Sequence, residues 1–143
     1  MRRATVAVAF LLATTGLVLA QDPIAQRRDI MKGVGAATRT GTQMSKGDIP
    51  FDLAKAQEVL ATYAKAAANF HEHFPENSKT GGQTTAAPAI WENQADFRAK
   101  FDAWGKDIQA ASASTKDLAT FRESFGNVSK ACGACHNTYR IKT

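Results

Sequence analysis

Apolar positions in this chain recur every three or four residues and nowhere alternate, which predicts helices and no half-buried strand. From about Pro23 to Ser45, the residues Ile24, Arg27, Met31 and Val34 share one helical face. Gly33, Gly35 and Gly41 fall inside that segment, and each costs a helix interior about 1 kcal/mol relative to alanine. Two explanations stand: a weak or kinked helix, or a bulky group that must approach the backbone there. Lys46 to Pro50 ends the segment. Asp52 is a good N-cap for a second helix, whose stripe is Leu53, Ala56, Leu60, Tyr63, Ala67 and Phe70 and which stops near His71 to Pro75. Asn77 to Ala87, with Gly81-Gly82 at its centre, reads as the longest loop. Pro88 suits the first turn of a third helix carrying Ile90, Phe97, Phe101, Trp104, Ile108 and Ala111. Ser112 to Thr115 is a polar break, and Ser114 with Asp117 resembles a capping box that opens a fourth helix. There Leu118, Phe121, Phe125, Val128, Cys132, Cys135 and Tyr139 step by three and four. Four amphipathic helices on short connections predict an all-α protein, an antiparallel four-helix bundle.

The first residues change the picture of what folds. Met1-Arg2-Arg3 is a positive head, Val6 to Leu19 an apolar run, and Val18-Leu19-Ala20 offers small residues where a signal peptidase reads. The expectation is a cleaved secretory signal over residues 1–20 and one mature domain over 21–143. The apolar run is too short for a stable anchor, and no other segment reads as a membrane span. The precursor carries a net charge of +5; without Arg2 and Arg3, sixteen basic residues face thirteen acidic ones, leaving +3. The charges are interspersed, which gives nucleic-acid binding no support, while a mildly positive surface can steer docking to an acidic partner.

The chemistry lies in the fourth helix. Cys132-Gly133-Ala134-Cys135-His136 places two thiols three residues apart with an imidazole next to the second. Two thiols at this spacing can add to the two vinyl groups of one haem, and the histidine then sits against the iron. Both cysteines lie on the core stripe, so the macrocycle would enter the bundle interior, where such cofactors are built. A thioredoxin-like pair would need a βαβ context, and a zinc site would need a second Cys/His pair; neither is present. An enzyme is not expected, since no nucleophile–base pair or acid–base carboxylate pair can be placed together. The second axial position has four candidates: Met31, Met44, His71 and His73. Met31 is on the core stripe. Met44 is thirteen residues later, about 20 Å along a helix, so both cannot face one iron. His71 and His73 sit at the polar end of the second helix, where solvation is the simpler expectation. Spacing alone leaves the choice open, because a methionine on an apolar face is more often core filler.

With these residues in view the chain resembles the class II cytochromes c, the cytochrome c′ family. The marks are Lys46-Gly47 with Pro50-Phe51-Asp52, then Phe74-Pro75, then Pro88-Ala89-Ile90-Trp91, and finally Phe125-Gly126-Asn127-Val128 leading to Lys130-Ala131-Cys132 and Tyr139-Arg140. The resemblance covers essentially the whole mature chain and implies a four-helix bundle enclosing one covalently attached haem c, held through Cys132, Cys135 and His136. The family has two functional types. In cytochrome c′ proper the distal residue cannot ligate, the iron is five-coordinate and high-spin, and NO or CO can bind. In the low-spin cytochrome c-556 type a methionine closes the sixth position, and counting back from the shared marks puts Met31 there. The resemblance therefore implies a periplasmic carrier of single electrons with His136 and Met31 on iron, and transient redox partner proteins. It further implies that Arg27 lies near the haem propionates and Arg140 beside the proximal histidine. Members of the family often pair through their first two helices, so a homodimer is a further expectation.

Overall fold

Asp22 and Pro23 start the first helix, α1 (Pro23–Lys46): the Asp22 carboxylate accepts from the Ile24 N–H, and proline at the first turn wastes no donor. Gly47 ends it in the left-handed region at φ 84°, where its N–H reaches the carbonyls of Gln43 and Met44. Asp52 caps α2 (Leu53–Asn69) by accepting from the Lys55 N–H, as its sequence position predicts. Two short 3₁₀ turns follow, Phe70–Glu72 and Glu76–Ser78, then α3 (Ala89–Glu92), α4 (Gln94–Ser114) and α5 (Leu118–Tyr139). This structure, a computed structural model, describes residues 22–142; the expected signal peptide lies outside the described residues.

Two local expectations need correction. The third segment is not one helix, because Asn93 leaves helical geometry (φ −142°, ψ 63°) and caps α4 by accepting from the Asp96 N–H. The polar break comes later than Ser112. Ser114 stays helical, bonding back to the Ala111 carbonyl, and the capping box is Asp117 with Thr120. The Asp117 carboxylate accepts from the Thr120 N–H at 2.8 Å, while the Thr120 hydroxyl oxygen accepts from the Asp117 N–H at 3.0 Å. Threonine can do this at the third helical position as well as glutamate, which hides the box from a Ser-x-x-Glu search.

The four long helices form an antiparallel bundle in which α1 packs on α2, α2 on α4, α4 on α5, and α5 back on α1. No strand occurs among the described residues, only one isolated antiparallel bridge between Ala86 and Arg140. Leu60, Tyr63, Ile108, Phe121 and Val128 fill the centre, as their stripes predict. Leu53, placed on the α2 stripe from sequence, is 44% exposed at the helix start, where the bundle has not yet closed over it.

The seam between α1 and α5 is the thinnest of the four. At one end it is drawn tight. A Cβ on Gly41 would collide with Phe125 Cε2 and Cζ, so only glycine lets the buried ring seat against the α1 backbone. The Arg122 side chain adds a bond to the Ser45 carbonyl at the same end. Towards the other end the two helices leave room. Of the two sequence explanations for the glycines, Gly41 thus answers to a bulky group, whereas Gly33 and Gly35 meet nothing within 4 Å.

These environments make opposite predictions. Gly41→Ala should destabilise the holoprotein by about 1–3 kcal/mol through overpacking on Phe125. Gly33→Ala should stabilise it by about 0.5–1 kcal/mol, since the position is helical and open. Denaturant midpoints of the two variants against the parent check both signs.

Candidate functional site

Where α1 and α5 part, a cavity opens with two lobes of about 610 and 220 Å³. Both lobes share the side chains of Met31, Val34, Phe101, Cys132, Cys135 and His136. The larger lies between the α1 and α5 faces and is backed by Phe70, Phe74 and Phe97. The smaller reaches α4 at Lys100, Trp104 and Asp107. The antiparallel course of the helices explains the meeting: the start of α1 runs beside the end of α5. Residues more than a hundred positions apart in sequence thereby face one space.

Cys132 and Cys135 are half-buried free thiols on the α5 wall. Burial pushes both thiols above their usual range, so they are held protonated. His136 follows at the mouth. Its pKa is lowered, first by desolvation and then by the positive charge of Arg140 four residues on, which keeps the imidazole neutral with a lone pair to offer. Met31 is half-buried on the opposite wall, from α1.

The other axial candidates do not share this space. Met44 is 0% exposed and packs in the core. His71 and His73 line neither lobe. The expectation that His71 is solvated is corrected: both its ring nitrogens are buried without a partner among the described residues, because the 3₁₀ turn at Phe70–Glu72 folds the ring in beside Phe101. Arg140 lines the larger lobe and is exposed.

Arg27 lines the same lobe but is 5% exposed, and its terminal nitrogens are committed to the loop beyond α2. Nη1 donates to the His73 carbonyl at 3.2 Å and to Ser78 Oγ at 3.0 Å. Nη2 donates to the Ser78 carbonyl at 3.0 Å and to Thr84 Oγ1 at 3.2 Å. The guanidinium also lies 4.5 Å from the Phe74 ring centroid and 5.8 Å from that of Trp91. Desolvation lowers its pKa, an effect that the charge of Asp22 opposes. Nothing in the sequence signals that Ser78 and Thr84 meet Arg27 across 51 and 57 positions.

Two more groups complete the wall. The Tyr139 hydroxyl donates to the Asp96 carboxylate, tying α5 to α4. The Trp104 indole N–H is buried beside the smaller lobe without a partner among the described residues. The donor set suits a haem: two thiols one turn apart, a neutral imidazole, a thioether opposite, and aromatic walls. Among the charged residues of the larger lobe, Arg27, Arg28, Lys32 and Arg140, all are basic, which suits a ligand with carboxylate edges.

The chain is similar to known proteins along nearly all of its length. The family described as Cytochrome C′ matches residues 22–140. A cytochrome c′ of Rhodopseudomonas palustris is 38% identical over 142 residues, covering 99% of this chain and 97% of the relative. A cytochrome c-556 of Agrobacterium fabrum is 37% identical over 139 residues, covering 96% of this chain and 94% of the relative. The solved structure of cytochrome c′ from Rhodopseudomonas palustris superposes with a TM-score of 0.83 at 39% identity, over 87% of this chain and 99% of that one.

The Tyr139–Asp96 bond predicts how stability depends on pH. Desolvation and the adjacent carboxylate push the Tyr139 phenol up to about 12. Its folded value exceeds the unfolded one near 10, so the stability it contributes is complete below about pH 10 and lost as pH rises towards 12. The same bond lowers the Asp96 carboxyl, whose contribution is present above the ordinary carboxylate pKa and lost as pH falls. Tyr139→Phe should flatten both flanks of the stability profile, read as unfolding midpoint against pH.

Proposed function

This chain belongs to the cytochrome c′ family and carries covalently attached haem c, and we propose that it is a periplasmic carrier of single electrons with a six-coordinate, low-spin iron. In this reading Cys132 and Cys135 hold the haem through thioether bonds, and His136 and Met31 ligate the iron. The observation that carries it is the position of Met31: a thioether from α1 lines both lobes of the cavity that the cysteines and His136 line from α5. Bound there, haem supplies a one-electron couple, and a methionine ligand favours the reduced state. The chain's own part is to keep the imidazole neutral, supply the thioether and exclude water with Phe70, Phe74, Phe97 and Phe101.

The second reading is a five-coordinate, high-spin protein that binds NO or CO on the Met31 side. One feature favours it. Gly33 and Gly35 follow Met31 in the interior of α1, and each interior glycine weakens the helix that carries the thioether.

Optical spectra of the ferric and ferrous protein decide between the two. The electron-carrier reading expects sharp low-spin ferrous bands and slow CO binding, and Met31→Leu should turn the ferric protein high-spin and speed CO association at least about a hundredfold, since gas no longer waits for a ligand to leave. A parent that is already high-spin and binds CO at once would refute it.

The charge on the rim of the larger lobe supports docking of redox partners at that face. Arg28, Lys32 and Arg140 are exposed, and among the described residues no acidic one lines that lobe. An acidic redox partner approaching this face meets a complementary potential. Arg28→Glu with Lys32→Glu should slow bimolecular electron transfer with an acidic partner about tenfold at low salt, and the difference should shrink as ionic strength rises. Stopped-flow rates over a salt series test this.

A further inference from the structure

The cavity opens on the seam where the bundle has the fewest direct contacts, yet the two helices are joined across it by a segment belonging to neither. Residues 73–87 leave α2, cross the open end and touch both α1 and α5. On the α1 side Arg27 binds His73, Ser78 and Thr84 through four hydrogen bonds. Gly82, at φ 53°, lets the same segment lie against the Ile24 side chain, so a second point on α1 is covered. On the α5 side the Ala87 N–H donates to the Tyr139 carbonyl at 3.0 Å and the Ile141 N–H donates to the Thr85 carbonyl at 2.8 Å. Thr84 connects the two halves: its Oγ1 accepts from Arg27 Nη2 and also from the Ala86 N–H at 3.2 Å. Ser78 Oγ is fixed in turn by donating to the Pro75 carbonyl at 2.8 Å.

Arg27 lies one turn before Met31, and the bridge at Arg140 lies one turn after His136. The strap therefore fastens each wall of the cavity one turn from the group that wall offers to iron. We propose that Arg27 is a positioning residue for the sixth ligand: by holding the strap it sets how far α1 stands from α5, and so whether Met31 stays within reach of the iron. Arg27 is suited to this because its charge is buried without an ion pair among the described residues, so it has a strong need of the carbonyl and hydroxyl acceptors that the strap provides. A lysine offers a single nitrogen and cannot span His73, Ser78 and Thr84 together. The proposal rests on His136/Met31 ligation.

The test uses the holoprotein, variants on the strap that leave every α1 side chain intact, and Arg27→Lys beside them. Thr84→Val and Ser78→Ala remove acceptors of the guanidinium; Thr84→Ser keeps one. Expected are a larger high-spin ferric fraction and a CO association rate raised roughly fivefold for Thr84→Val, the factor set by one net hydrogen bond. Ser78→Ala and Arg27→Lys should act in the same direction, and Thr84→Ser should match the parent. Amide exchange of residues 24–35 and 84–87 should quicken in the same variants. If the parent is low-spin and the strap variants leave spectrum and CO rate unchanged, the proposal is wrong while His136/Met31 ligation stands. If exchange quickens without an effect at iron, the strap is only structural and the proposal is overturned. If Arg27→Lys acts but the strap variants are silent, Arg27 works through direct contact with the haem. A parent that is high-spin overturns the ligation reading and the proposal with it.

Discussion

The close seating of Phe125 on Gly41 governs the shape of everything around it. A bundle of four straight helices with uniform contacts would have no room for a large flat cofactor. Here α1 and α5 are pressed together at one end by the absence of a single Cβ, with Arg122 bonding Ser45 beside it. Helices are stiff over several turns, so a tight contact at one end and bulky aromatic residues in the middle leave a wedge at the other. Phe125 also stacks on Phe121 and Tyr63, which carries the effect into the centre of the core. The cavity is thus a consequence of where the core is dense, and the cysteines line it because the α5 stripe continues unbroken past Phe125.

Electrostatics in the wedge point one way. The thiols are kept protonated by burial, the imidazole is kept neutral by desolvation and Arg140, and among the described residues no acidic side chain lines the larger lobe. Each condition favours a ligand that brings its own negative charge and accepts a neutral nitrogen donor. Arg27 is buried with neutral oxygen partners and two aromatic faces, while Arg28, Lys32 and Arg140 stand at the solvent edge. Two kinds of basic residue therefore surround one cavity. The buried one belongs to the geometry of the wall and is little affected by salt; the exposed ones are screened as ionic strength rises.

The sequence made the fold and the centre of the site legible because both rest on local periodicity. An α5 stripe stepping by three and four puts Cys132 and Cys135 beside Phe125 and Val128 whatever the rest of the chain does. Met31 could be singled out over Met44 only through the family resemblance, and the structure separates them by burial: one lines the cavity, the other is sealed in the core. What stayed hidden was non-local or chemically permissive. Asn93 breaks a continuous apolar stripe because its own side chain satisfies the helix start better than another helical turn would. Thr120 serves in a capping box where glutamate is usual. His71 looks polar in sequence but is covered by a 3₁₀ turn that no periodicity marks. Ser78 and Thr84 sit in a glycine-containing loop with no pattern, and their importance appears only when Arg27 arrives from the other end of the fold.

That last point bears on how one fold supports two kinds of haem protein. If the separation of the cavity walls depended on an iron–methionine bond, a chain without the methionine would lose the geometry of its cavity as well as its ligand. The strap makes the separation independent of iron, since carbonyls, hydroxyls and one buried guanidinium join α1 to α5 directly. The residue at the distal position is then free to be a ligand or a packing group without disturbing the thiols and the imidazole on the opposite wall. By the same reasoning, the difference between an electron carrier and a gas binder reduces to a small free energy. A thioether bond to iron weighs against the strain of holding α1 near α5, in a helix that two interior glycines have already softened. Changes far from the iron, in the strap or at Gly33 and Gly35, act on that balance, whereas changes in the Cys132–His136 turn act on whether there is a haem to balance at all.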